Sequence, residues 1–187
     1  SIYMAKNAKD YVGIDLSDVA IEDLKVKLKN AGCSNARAIA VDFLSDEFTE
    51  DNFDVIYANG VLHHFEDFDL LISHLKKKLA ENGVVISYDP LETSTPIKIL
   101  RALYRPFQSD KAWEWPFKER TLQKLDSNFS IKEKRGVLGK SKYGIIIHML
   151  PLSQKRKVAM IHKWIDRDWK LKNWRDAHKC MHITMLM

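Results

Sequence analysis

The sequence predicts an α/β protein with a doubly wound, mostly parallel sheet. Two observations carry this. Short apolar strands alternate with amphipathic helical stretches through roughly residues 1–90, joined by short connections, the pattern of βαβ units. The strands also end in turn or acidic residues: Asp15 after Tyr11–Ile14, Asp42 after Ala36–Val41, and Asn59-Gly60 after Phe53–Tyr57. In open α/β sheets ligands sit outside the carboxyl ends of such strands.

Taken in order, Ser1–Ala8 reads as the end of a helix. Tyr11–Asp15 is a strand, and Ser17 is a good N-cap for the helix after it. Ile21, Leu24 and Leu28 recur on one face of that helix, and Gly32 stops it. Ala36–Val41 is the next strand. Phe53–Tyr57 is the third, turning at Ala58-Asn59-Gly60 into Val61-Leu62-His63-His64-Phe65. The following helix sets Phe68, Leu71, Ile72, Leu75 and Leu79 on one face and is expected to end at Asn82-Gly83. Val84–Tyr88 is a continuous apolar run, as in a strand covered on both faces.

Beyond Tyr88 the alternation breaks. Residues 89–96 read as a loop on the ligand side of the sheet, Ile97–Tyr104 and Glu119–Leu125 as helices, and Phe129–Val137 as an antiparallel edge strand. Ile145–Met149 fits a strand or a buried helix equally. Cys180–Met187 reads as a buried strand.

The 187 residues suit one domain, 1–187, with a sizeable core. No run of about 18 apolar residues is present. Cys33 and Cys180 form no CxxC or zinc spacing and read as free thiols of a cytoplasmic protein. No metal site is expected. Residues 131–187 carry 14 Lys/Arg against 4 Asp/Glu, a net +10 within an overall +5. Such a basic third suits an anionic substrate, a membrane surface, nucleic acid, or simply a solvated face.

Four motifs in order, Tyr11-Val-Gly-Ile-Asp15-Leu-Ser17, Val41-Asp42-Phe43, Phe53-to-His64 and Leu75-to-Ser87, resemble a class I S-adenosylmethionine-dependent methyltransferase. The resemblance is to the branch acting on small molecules and lipid quinones, and it covers roughly residues 1–90. It implies a Rossmann-like fold with a C-terminal antiparallel strand and helical insertions, and S-adenosylmethionine as cofactor. Asp15 is then expected to accept from both ribose hydroxyls, and Asp42 from the adenine amino group. Phe43 would offer a backbone N–H, Leu16 would cover the adenine, and Asn59 and Gly60 would lie beside the methionine part. The family's Gly-rich loop and first strand have no counterpart in the sequence. The chain is therefore expected to be a piece of a longer protein, with Tyr11–Asp15 and Asp54–Tyr57 not paired to each other.

Methyl transfer to oxygen or an acidic carbon also needs a proton removed. His63 and His64 stand at the correct end of the sheet, and histidine is the side chain suited to proton transfer near neutrality. At least one is a candidate base; the alternatives are packing and helix capping. In this family the insertions select the substrate, which here means 89–117 and 139–179 as a lid. Trp113, Trp115 and Phe117 would form an apolar wall, and Arg101, Arg105 and Lys111 would hold an anionic group; ordinary packing of the lid is the equal alternative. Trp164, Trp169 and Trp174 among basic residues suit contact with an anionic membrane, or a helix that packs its Trp residues inward.

The expected activity is thus methyl transfer to a small acceptor, possibly amphipathic or lipid-like in character. The alternatives are a nucleic-acid methyltransferase and a non-catalytic relative that binds a partner. A nicotinamide-dependent oxidoreductase is argued against by Asp42 and the Asn-Gly-Val-Leu-His-His turn. Nucleic acid is not expected as a partner, because no Asp/Asn-Pro-Pro-aromatic motif follows the Phe53–Tyr57 strand.

Overall fold

The computed structural model describes residues 1–107 and 112–187. The chain divides into two compact units, 1–51 and 52–187.

In the first unit, helix α1 (Ile2–Asn7) leads into strand β1 (Tyr11–Asp15). Helix α2 (Asp18–Asn30) returns the chain to strand β2 (Ala36–Ala40). β1 and β2 pair in parallel from Tyr11↔Ala36 to Asp15↔Ala40. Ser17 caps α2 by accepting from the N–H of Ala20 at 3.3 Å. The predicted face of α2 is buried: Ile21 and Leu28 join Ala5, Cys33 and Ala38 in a small core, with Leu24 packed against it. A Cβ at Gly13 would lie 2.5 Å from the far end of the Leu24 side chain, which would have to shift.

The second unit holds a sheet of order β3-β4-β6-β5. β3 (Phe53–Asn59) lies parallel to β4 (Leu79–Pro90). β6 (His182–Leu186) lies antiparallel to β4 and to β5 (Glu133–Val137). Among the described residues β1 pairs with β2 and β3 with β4.

Helix α3 (Phe68–Lys78) buries Leu71, Ile72 and Leu75 and is capped by Asp67, which accepts from Leu70 N at 2.9 Å. It stops at Lys78, four residues before the expected Asn82-Gly83. Leu79 turns extended and pairs with Phe53, and the pairing resumes at Val55↔Val84. Asn82-Gly83 therefore belongs to an irregularity inside the β3–β4 pair. A Cβ at Gly83 would come 2.6 Å from the Phe53 carbonyl oxygen, which explains the glycine.

Helices α4 (Thr95–Tyr104) and α5 (Glu119–Asn128) follow β4. Between β5 and β6 come α6 (Gly144–Met149), α7 (Gln154–Asp168) and α8 (Trp174–Ala177). The ambiguous Ile145–Met149 run is thus helical, but it buries little: Ile147 is covered while Ile145, Ile146 and Met149 are exposed. The core of this unit comprises Leu71, Leu75, Val85, Leu91, Ile97, Phe117, Leu125, Ile183 and Met185. No helix among the described residues is long and apolar enough to cross a membrane.

Candidate functional site

Asp15 and Asp42 end up as neighbours at the carboxyl edge of the first unit's sheet. Val41 N donates to the Asp15 carbonyl at 3.0 Å. Each carboxylate spends one oxygen on its own turn: Asp15 Oδ1 accepts from Ser17 N at 2.9 Å, and Asp42 Oδ1 from Leu44 N at 2.9 Å. No hydrogen bond to another residue is made by either second oxygen among the described residues, and both side chains are exposed. Leu16 projects beside them, 75% exposed, and Phe43 lies tilted against Phe48 with ring centroids 6.1 Å apart. Two carboxylates with uncommitted oxygens next to an uncovered apolar side chain fit the hydroxyls, amino group and flat base of a nucleoside.

In the second unit, β3 ends at Asn59 and turns at Gly60. Gly60 has φ +69°, the left-handed region that a side chain disfavours. Its N–H donates to the Tyr88 carbonyl at 2.6 Å, holding the turn against β4. The chain then enters a 3-10 turn, Leu62–His64, which carries both predicted histidines.

His63 is buried. Its Nδ1 lies 3.0 Å from Oδ1 of Asp89, and its backbone N–H reaches the same oxygen at 3.2 Å. His64 is exposed, and its Nδ1 lies 2.6 Å from the Trp113 carbonyl oxygen. Carbonyl and carboxylate oxygens only accept. Both Nδ1 atoms must therefore carry the proton, and in each neutral ring Nε2 keeps the lone pair. The two rings lie 4.0 Å apart, centroid to centroid.

Asp89 carries the same sequence signal as Asp15 and Asp42, an acid at the end of an apolar strand. Where the sequence predicts a loop from residue 89, β4 runs on through Pro90.

The segment 89–117 is tied to the histidine turn. Trp115 N donates to His63 O at 2.8 Å, alongside the His64–Trp113 bond. Trp113 is 69% exposed and Trp115 half-buried. Phe117 does not join an apolar wall. It is fully buried, edge-on to Phe68 at 5.5 Å, with its backbone bridged to Leu91. Its side chain belongs to the core because its N–H and C=O are held by Pro90 and Glu92.

Arg101 and Arg105 line a cavity of about 140 Å³ with Lys98, Glu92, Glu114 and Pro116. Arg101 Nε donates to the Leu91 carbonyl at 3.3 Å. Lys111 lies outside the described residues. The second insertion also departs from the carboxyl edge of β4, since Val137 and Pro90 both pair with His182. Thr93 Oγ1 joins the two insertions by donating to the His178 carbonyl at 2.6 Å.

The tryptophans of the basic segment lie against cations of the same chain. Lys134 sits 4.6 Å from the Trp174 centroid, Arg135 4.5 Å from Trp169 and Lys140 5.1 Å from Trp164.

The chain belongs to the methyltransferase-domain family, whose model matches residues 1–135. An uncharacterized protein of Haemophilus influenzae is 30% identical over 89 residues, covering 46% of this chain; the chain spans about a third (35%) of that relative's length. Among solved structures, the N-methyltransferase NodS of Bradyrhizobium japonicum, in complex with S-adenosyl-L-homocysteine, has a TM-score of 0.55 at 20% identity, over 74% of this chain and 63% of its own. Magnesium protoporphyrin IX methyltransferase of Synechocystis, also with bound S-adenosylhomocysteine, gives 0.57 at 20%, over 72% and 60%. The [4+2]-cyclase SpnF gives 0.62 at 16%, over 99% and 68%. At these identities the likeness is one of fold, and SpnF is named for a cyclisation, so fold alone does not fix the reaction.

Proposed function

We propose that the protein transfers a methyl group from S-adenosylmethionine to a small, amphipathic or lipid-like acceptor that carries an acidic group. The observation that carries this reading is His64, exposed at the carboxyl end of parallel strands, with Nδ1 pinned to the Trp113 carbonyl and Nε2 left as the base. The likeness to structures that hold S-adenosylhomocysteine supports the same cofactor.

When bound, S-adenosylmethionine supplies an electrophilic methyl on a sulfonium, so the chain's own residues bind, orient and move a proton. Asp15 and Asp42 accept from the nucleoside's hydroxyls and amino group, Leu16 covers the base, and Phe43 offers its backbone. Asn59 and Gly60 take the methionine end. His64 or His63 removes the acceptor's proton at Nε2. Arg101 and Arg105 hold the acceptor's acidic group in the 140 Å³ cavity. Trp113 and Trp115 cover its apolar part, and the joined insertions close over it as a lid.

Membrane contact also belongs to this reading, chiefly through the exposed apolar residues of α6; the tryptophans of the basic segment lie against cations of their own chain.

The test is calorimetric titration of the protein with S-adenosylhomocysteine. Binding is expected, and Asp15→Ala should weaken it by about 1.5–3 kcal/mol, the scale of hydrogen bonds to a charged group. Unchanged affinity in a folded Asp15→Ala variant would remove Asp15 from the site. No binding even when the family's first strand and Gly-rich loop are joined to the amino end of the chain would overturn the methyltransferase reading.

A further inference from the structure

Asp89 is completely buried, and a buried carboxylate without full hydrogen bonding is costly. The same chain shows what a structural buried carboxylate looks like. Asp168 uses both oxygens: Oδ1 accepts from Lys140 N at 2.7 Å, and Oδ2 from Ser141 N at 2.8 Å and Ser141 Oγ at 2.6 Å. Asp89 differs. Oδ1 takes the backbone and ring N–H of His63, while Oδ2 is buried with no partner among the described residues. Its ion-pair partner among those residues is His63, which carries charge only when protonated. With a neutral His63 the carboxylate has no ion-pair partner among the described residues. A proton taken up at Nε2 would supply one, in a low-dielectric setting where a charge pair interacts strongly.

We propose that Asp89 is a positioning residue: it fixes His63 as the Nδ1–H tautomer and stabilises the imidazolium formed when Nε2 accepts a proton. The geometry is that of a carboxylate–histidine pair in general-base catalysis. Asp89 acts through His63 and need not touch the acceptor. The tautomer assignment stands on geometry alone, and the catalytic consequence rests on the function proposed above.

Nitrogen-15 NMR of the histidine rings above pH 8 separates the two. In the unaltered protein both His63 and His64 should show a protonated Nδ1 and an unprotonated Nε2. In Asp89→Asn and Asp89→Ala, His63 should lose that single state and become a mixture of tautomers. His64, held by the Trp113 carbonyl, should keep it, which also reports that the turn remains folded. S-adenosylhomocysteine affinity should not change. With any acceptor that turns over, kcat should fall about 100-fold or more with KM little altered, as for loss of a tautomer-fixing carboxylate. A His63 that stays wholly Nδ1–H in both variants would overturn the proposal. A changed tautomer in a protein that binds no S-adenosylhomocysteine, even with that strand and loop joined to it, would leave Asp89's role intact and overturn the methyltransferase reading instead.

Discussion

His182 stacks on Tyr88 with ring centroids 5.1 Å apart and planes 6° from parallel. Its Nδ1 is buried without a hydrogen-bond partner among the described residues. Burial lowers the imidazole's pKa below its ordinary 6.5, with Arg101 and His63 adding to the shift and Asp89 opposing it. The unfolded chain then takes up a proton at a higher pH than the folded one. The resulting stability is fully present above pH 6.5 and is lost as pH falls through the folded value. Urea midpoints should be level above neutrality and decline below pH 6.5. His182→Phe should reduce that decline, and an unchanged slope would show that other groups set it.

Asp168 ties the carboxyl end of α7 to the turn before α6. Removing it strands the N–H groups of Lys140 and Ser141 together with the Ser141 hydroxyl. These bonds are partly buried, and a hydrogen bond to a charged group contributes about 1.5–3 kcal/mol. Asp168→Ala should therefore lose about that much in chemical denaturation, and Asp168→Asn only part of it. A loss below about 1 kcal/mol would mean that water replaces the carboxylate.

Cys180 is fully buried, and burial, with Asp168 adding to it, pushes its thiol up to about 11. At pH 8 the thiolate fraction is then about one in a thousand. Iodoacetamide should leave Cys180 unmodified in the folded chain and alkylate it in urea, as peptide mass spectrometry would read. Because the folded pKa lies above the ordinary 9.0, this group's contribution to stability is present below pH 9 and is lost as pH rises toward 11. Rapid native labelling would contradict the burial.

Residues 134–165 contain 8 Lys/Arg and no acid. In their midst Tyr143, Ile145, Ile146, Met149 and Leu150 are exposed. An apolar tip within a basic surface suits the interface of an anionic bilayer. The protein should float with phosphatidylserine vesicles at low salt and less so at high salt. Ile145→Asp/Met149→Asp should abolish flotation, whereas Trp169→Ala should not. No flotation at low salt would remove this surface from membrane contact.

The alternation of parallel strands and helices, the cap at Ser17 and the buried face of α2 were legible because each depends on residues close in sequence. The end of α3 was not, because the pairing of Leu79 with Phe53 overrides local helix preference and folds Asn82-Gly83 into a strand irregularity. Asp15, Asp42, His63 and His64 stand out in the sequence because they lie at strand ends. The contact of Asp89 does not, because it depends on a turn 26 residues earlier. For Phe117 aromatic clustering leaves core and binding wall equally open, and its burial decides for the core.

β5 and β4 meet only through β6, which is made after α6, α7 and α8. During synthesis Glu133–Val137 must wait, unpaired, while the whole second insertion emerges. The sheet of the second unit thus cannot close one strand at a time as it leaves the ribosome; it closes in one late step, when a single strand fills the slot between two that are already there. Until then the edges of β4 and β5 stand open to the wrong partners, which makes this interval the natural point for a chaperone to act.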